Sequence, residues 1–492
     1  MGKLQREGIW NTIISYAGIA IGYVNLIMLF PNFLEEEQVG LTRLMITVSE
    51  MMAQFAALGF VNMSGRYFPF FRDKAKKHNG FLFLLITVPM FGFAAITVLF
   101  LLLKPFIVNY YQENSELFLE YYYYLIPLGL FALLFQLFTA YLRSLFKTIV
   151  SSFVKDFLLR VLIMGLLFIY YFEWINFHQF VLLFIIVNSA TALFLVIYTI
   201  WLKQFYIKPS IAAMQVVPLR EIMSYGFFTF LGSMSVTIIK TTDQIMVSAI
   251  SLVDNAIYTT AFYITSAIAT PALAIMKIAV PQVAEYWKDN DLENLGKFYK
   301  QVTLTNLIIG MLLFIGIWAN LDNIYSLMPE TYRAGAYVVL LLSMARIVDM
   351  ATGINGIILA TSAKYRWDLL FNIVLAGLTI WTNYIFIPLY GINGAALASM
   401  ITLITINLAR LFFVQWLYKI QPFNFKSLVI ILIAATALGL SYLLPFLGNV
   451  LLDIAVRSVL ITTIYGLLTI RLNIYPEMNL WLLKIWKSIF KA

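Results

Sequence analysis

Charged residues set inside long apolar runs are the chemically suggestive feature of this 492-residue chain. Four opposite-charge pairs recur at helical spacing: Asp156/Arg160, Lys240/Asp243, Arg346/Asp349 and Asp453/Arg457. Partners three or four residues apart share one helix face and can neutralise each other. An ionisable group at the centre of a bilayer costs at least about 2.5–3.5 kcal/mol on insertion scales, so each is a candidate for function. Asp156/Arg160 and Asp453/Arg457 stand near the ends of their runs and read as structural pairs. Lys240/Asp243 lies deeper, among Thr237, Thr241, Thr242 and Gln244, and reads as a candidate binding cluster; Arg346/Asp349 is a second. Glu50 has no cation four residues away and sits between Ser49 and Gln54. A lone carboxylate there suits proton or cation coupling, or a salt bridge across a cavity, with Lys240 the expected cation. Lys277, one turn before Pro281, can snorkel to the interface or meet an anionic substrate.

Other chemistries find little material. The chain has no cysteine, which excludes disulfides, thiolate catalysis and cysteine-based metal sites. His78 and His178 are its two histidines, too few for a metal centre, and no cofactor is expected. Asp289-Asn290-Asp291 matches a metal–nucleotide-sugar triplet, but in a short connection it reads as a solvated helix cap. No Gly-x-x-x-x-Gly-Lys-Ser/Thr loop occurs, so the chain by itself is not expected to hydrolyse ATP.

The elements that must carry these charges follow from composition. Apolar residues make up 62% and charged residues 12%, with a mean hydropathy of +0.87. A soluble domain is about 45–50% apolar and about 25% charged, so a soluble protein is excluded. The net charge of +9 fits loop orientation and anionic lipid, with no nucleic acid as partner. With about 20 apolar residues needed per spanning helix, the sequence yields roughly fourteen spans: 9–30, 41–61, 81–103, 119–141, 157–173, 178–200, 222–249, 256–278, 301–319, 335–358, 369–387, 393–414, 427–446 and 452–470. Runs of this length exclude a β-barrel, whose strands alternate over about 10 residues. The expectation is an all-α polytopic membrane protein.

Orientation follows from Lys and Arg. With the N-terminus inside, 25 fall in inner connections and tails, against Arg43, Lys104 and Arg333 outside. That asymmetry places both termini in the cytoplasm. The apolar stretch after Met1 is too long for a signal peptide and reads as a retained first span. No connection could hold a soluble catalytic domain, so an enzyme is not expected. The stretch 201–221 reads as a cytoplasmic linker between six-span lobes, 1–200 and 222–417, followed by two additional spans (418–470). A shift of 217 residues lays spans seven and eight over one and two, with Val39–Thr42 falling on Ala256–Thr259. Even-numbered halves would be related by a pseudo-two-fold along the membrane normal, as in transporters whose substrate path runs between repeats. In the tail 471–492, Leu482, Ile485, Trp486 and Ile489 share a helical face opposite Lys484, Lys487 and Lys491. It reads as a cytoplasmic amphipathic anchor on membrane lipid.

Several stretches, in order, resemble one family. They are Glu37-Gln38-Val39-Gly40 with Ala57-Leu58-Gly59-Phe60 and Arg66-Tyr67-Phe68; Thr242-Asp243-Gln244-Ile245-Met246 with Ala256–Phe262 and Pro281; and Pro388–Ser399. Across most of its length the chain resembles the multidrug/oligosaccharidyl-lipid/polysaccharide (MOP) exporter superfamily, in its polysaccharide-transporter branch of Wzx-type flippases. The resemblance implies two six-helix lobes, alternating access by rocking, and a lipid-linked oligosaccharide moved from the cytoplasmic to the outer leaflet. It implies a bacterial inner membrane, surface polysaccharide such as lipopolysaccharide as the product served, and glycan polymerase machinery as a partner. It places span seven, with Lys240 and Asp243, against the central cavity. Lipid II flippases of the superfamily carry arginines in span one and drug/cation antiporters an acid. Span one here has neither, which sets both as alternatives behind the leading expectation. A membrane glycan polymerase or ligase would call for a large outer loop rich in Arg or His, and none is present.

Overall fold

The structure, a computed structural model, describes residues 14, 17–111, 115–208 and 217–475, the side chain of Leu219 excepted. Among them there is no strand, and most of them are helical. Among the described residues nine helices are long and apolar enough to cross a membrane, ten with one bent pair. The protein is thus an all-α, multi-pass membrane protein. It divides into two compact units, residues 1–259 and 260–492.

In the first unit, α1 (Ala17–Phe33) is followed by α2 (Glu36–Ala56) and α3 (Phe60–Phe71). The start of α2 is written in sequence. Glu35 and Gln38 form a reciprocal capping box, and Glu36 and Glu37 place negative charge against the positive end of the helix dipole. Its end is equally local, with Leu58 and Gly59 both left-handed (φ 47° and 78°) and α3 leaving at 44°. After α4 (Phe81–Leu102) come α5 (Leu125–Ser144), α6 (148–171) and α7 (Phe177–Trp201). A π-helical stretch, Phe153–Leu158, lies within α6. Helix α8 (Leu219–Ile250) packs on α2 and α3, so the element after the expected linker belongs to this unit. A Cβ at Gly59 would fall 2.2 Å from the Gly226 carbonyl oxygen of α8, so only glycine admits that approach.

Helix α9 (Leu252–Lys288) runs from the first unit into the second. The second unit continues with α10 (Leu292–Ala319), α11 (Ala336–Thr352), α12 (Asn355–Thr361) and α13 (Tyr365–Tyr418). It ends with α14 (Phe425–Ser441) and α15 (Val450–Arg471). The 54 residues of α13 would measure about 81 Å if straight, and they fold back on themselves instead. Gly391 (φ 56°, ψ −133°) reverses the chain. Thr382 and Thr402 then share a hydrogen bond of 3.0 Å, and Arg410 reaches Asp368 at 2.8 Å. The expected spans 369–387 and 393–414 are the arms of this hairpin. Helices α14 and α15 dock on α10 through an apolar cluster including Leu307, Ile430, Ile461 and Tyr465. The Tyr465 hydroxyl donates to the Ile308 carbonyl (3.0 Å). The expected amphipathic tail falls largely at 476–492, outside the described residues.

Candidate functional site

The first-unit candidates lie along α2 and α8. Buried Thr47 donates to buried Gln244 (2.5 Å), cross-linking the two helices by their side chains. One residue before Gln244, the buried Asp243 carboxylate accepts from the Tyr258 hydroxyl at 2.7 Å. Asp243 is therefore engaged inward, whereas Lys240, one turn earlier, is exposed and has no carboxylate within 4.0 Å among the described residues. Glu50 corrects the expected pairing. Its partner is Lys155 at 3.6 Å, with side chains 56% and 57% exposed, and not Lys240. The sequence placed Lys155 in a connection because span five seemed to begin at 157. Helix α6 begins at Thr148, so Lys155 sits inside it, in the π-helical stretch. Lys277, on α9, is exposed.

Of the two pairs assigned structural roles, the first contributes Arg160, which bonds to backbone. The Arg160 guanidinium donates to the Gly18 carbonyl, and Asn25 Nδ2 donates to the Arg160 carbonyl (2.8 Å), tying α6 to α1. A Cβ at Gly18 would lie 1.8 Å from the Asp156 carbonyl oxygen, so the helices touch there.

In the second unit, Arg346 and Asp349 do not form the expected ion pair. Half-buried Arg346 sits over the Phe262 ring, its guanidinium carbon 5.4 Å from the centroid, a cation–π arrangement. Asp349 accepts from Asn407 Nδ2 (3.0 Å), whose Oδ1 in turn accepts from the Thr352 hydroxyl (3.1 Å). Asn355 Nδ2 donates to the Asn407 carbonyl (3.2 Å), so one asparagine of the hairpin's second arm gathers α11 and α12. One turn further along that arm, Arg410 bonds Asp368 at 2.8 Å and Asn372 at 3.1 Å, with side chains of the ion pair 14% and 19% exposed. The sequence reading missed this pair because its members are 42 residues apart. Their signal in the first arm was the polar pair Asp368 and Asn372 near its start. Asp453 and Arg457 do pair (3.1 Å, both buried), and Asn323 donates to Asp453 at 2.5 Å. Arg457 also caps the Ser441 carbonyl (2.6 Å), so the cluster serves the docking of α14 and α15.

Asp291 of the metal-like triplet caps α10. It accepts from the backbone N–H (3.0 Å) and side-chain amide (2.6 Å) of Asn294, and these bonds hold its carboxyl below the ordinary aspartate range. Among the described residues no three His, Asp or Glu cluster as a metal site.

No protein-family model matches the chain. The chain is 22% identical to the uncharacterized membrane protein MJ1068 of Methanocaldococcus jannaschii, over 96% of each. Among solved structures it is similar to the lipid II flippase MurJ in an inward closed conformation, with a TM-score of 0.74 and 14% identity, covering 94% of this chain and 99% of that one. It is also similar to an inward-facing multidrug resistance MATE family transporter of the MOP superfamily (TM-score 0.61, 14% identity, 82% of this chain and 94% of that one). The chain has the fold shared by MurJ and the MATE transporters of the MOP superfamily.

Proposed function

We propose that this protein is an ion-coupled flippase that moves a polyprenyl-pyrophosphate-linked oligosaccharide from the cytoplasmic to the outer leaflet by alternating access. In this reading it serves surface polysaccharide biosynthesis in a bacterial inner membrane, has fourteen spans with both termini cytoplasmic, and catalyses no bond chemistry. Residues 1–200 and 222–417 are its lobes, and glycan polymerase machinery is its partner. The observation that carries the reading is the extent of the fold likeness. The share of the chain matched rises from 82% for the MATE transporter to 94% for the protein named a lipid II flippase. A lipid-linked substrate is therefore favoured over a soluble drug. The charges support it as well. Glu50 and Lys240 are exposed on membrane-length helices of the first unit, and Lys155 pairs with Glu50. Charges facing lipid would be costly, so they belong on a water-filled path; Lys277 is exposed on α9 in the second unit. Cations on such a path suit a pyrophosphate; the Glu50 carboxylate beside them suits ion coupling.

Lipid II itself is the second reading, favoured by the MurJ likeness. Against it stands α1, whose residues 17–33 carry no charge. Depleting the protein in its host and analysing polyprenyl-pyrophosphate glycans by leaflet tests both. The expected result is a complete repeat unit accumulating on the cytoplasmic leaflet. Accumulation of lipid II selects the second reading, and an unchanged pool with normal surface polysaccharide rejects both in favour of a drug/cation antiporter.

A further inference from the structure

Three lysines of the first unit converge on one cavity. Lys76, Lys77 and Lys208 line a space of about 520 Å³ together with Gly80, Phe205 and Tyr206. All three are exposed, and none has a carboxylate within 4.0 Å among the described residues. The nearby Asp73 carboxylate is turned to backbone, accepting from the N–H groups of Ala75 (2.9 Å) and Lys76 (3.2 Å). Like charges gathered in a concavity repel one another, and an anion between them removes that repulsion.

The cavity walls are fixed before any ligand arrives. Lys77, His78 and Asn79 form a left-handed turn (φ 52°, 49° and 48°) that ends in Gly80 (φ 74°). His78 is buried, with Nε2 2.7 Å from Gln204 Oε1, so the turn is bonded to the segment that presents Lys208. Tyr141 donates to the Gln204 carbonyl (2.9 Å), and Asn79 Nδ2 to the Phe71 carbonyl (3.3 Å). Helix α4 starts at Phe81, and the unsatisfied N–H groups of its first turn add to the positive potential.

Depth identifies the ligand. Lys77 opens one membrane-length helix, Lys77–Leu102, and Trp201 closes another, Phe177–Trp201. The cavity therefore lies where spans end, at headgroup level. Trp201 is 73% exposed and stacks on Tyr198 (5.8 Å between centroids), as suits an interfacial aromatic. Basic concavities at that depth take lipid phosphates.

We propose that this cavity binds the phosphate of an anionic lipid headgroup. The site is independent of the transport reading above and stands or falls separately. The full chain, purified in detergent, is titrated with phosphatidylglycerol or phosphatidylcholine, and retained lipid is read by native mass spectrometry. The expected result is saturable retention of phosphatidylglycerol alone. Each lysine should contribute about fivefold in affinity, so Lys76→Gln/Lys77→Gln/Lys208→Gln should lose roughly a hundredfold. Lys208→Gln alone leaves the buried turn untouched and should lose about fivefold, which keeps the test available if the triple variant misfolds. A Lys364→Gln/Arg366→Gln control should bind as the wild type does. Equal retention of the two lipids, or equal loss in the control, overturns the proposal. So does inorganic phosphate binding at these lysines without retention of phosphatidylglycerol, which would assign the cavity to a free ion.

Discussion

Glu50 and Lys155 form the one cross-helix ion pair among the described residues of the first unit in which both groups are carboxylate and ammonium. An exposed pair of this kind adds little to stability, about 0–1 kcal/mol. In the proposed function its value would be to hold two charges on the substrate path. Glu50→Gln or Lys155→Gln should each lower transport about tenfold, as for one lost interaction of about 1.4 kcal/mol, with normal membrane insertion. The swap Glu50→Lys/Lys155→Glu should recover more activity than either single reversal, and a complementation assay measures both. Lys240→Ala should also lower transport; full activity would remove it from the path. Asp243→Asn separates charge from hydrogen bonding, since an amide oxygen still accepts from Tyr258. Retained activity would make Asp243 a fastener of α8 to α9. At this scale the sequence paired Asp453 with Arg457 as the structure does, but mispaired Glu50 with Lys240 and Arg346 with Asp349. Same-helix spacing was visible, whereas Lys155, Tyr258 and Asn407 come from other elements or distant turns. Apart from Lys155, the groups that replaced the expected partners are neutral, which no charge pattern reveals.

Among the elements, sequence signals were clearest where geometry is local. The capping box at Glu35 and Gln38 and the reversal at Pro388–Ser399 can be seen before any tertiary contact is known. Gly59 combines a local and a tertiary demand. Gly59→Ala adds a Cβ 2.2 Å from a carbonyl oxygen at a residue with φ 78°, so a loss of about 2 kcal/mol or more is expected. Gly391→Ala meets nothing within 4 Å and should cost only the backbone strain, about 1–3 kcal/mol. Thermal unfolding in detergent should rank the two accordingly. The docking of α14 and α15 makes a sharper prediction. Arg457→Met leaves buried Asp453 without its ion partner, and Asp453→Leu strands the guanidinium. Either should cost about 3–5 kcal/mol, while the double change to apolar residues should recover much of it. Equal losses in all three would mean that the hydrogen bonds to Asn323 and Ser441 outweigh the ion pair.

For the molecule as a whole, composition alone made a soluble protein untenable, and hydropathy made the helical class legible. Span boundaries were less so. Helices α8 and α9, at 32 and 37 residues, exceed the roughly 20 that a span needs, and α13 passes through its turn without a loop. Topology is directly testable because the chain has no cysteine. Single cysteines at Lys364 and Lys419 should react with impermeant maleimide only after permeabilisation, and one at Arg333 in intact cells. The opposite pattern would invert the orientation and, with it, the direction of transport proposed above. The reversal at Gly391 has a consequence for biogenesis. With its arms joined by a few residues, α13 cannot leave the translocation channel one helix at a time and wait for its partner. The short connection brings Thr382 to Thr402, and Asp368 to Arg410, once the second arm has been made. Helices α14 and α15, made after the hairpin, must then find α10, which was made before it.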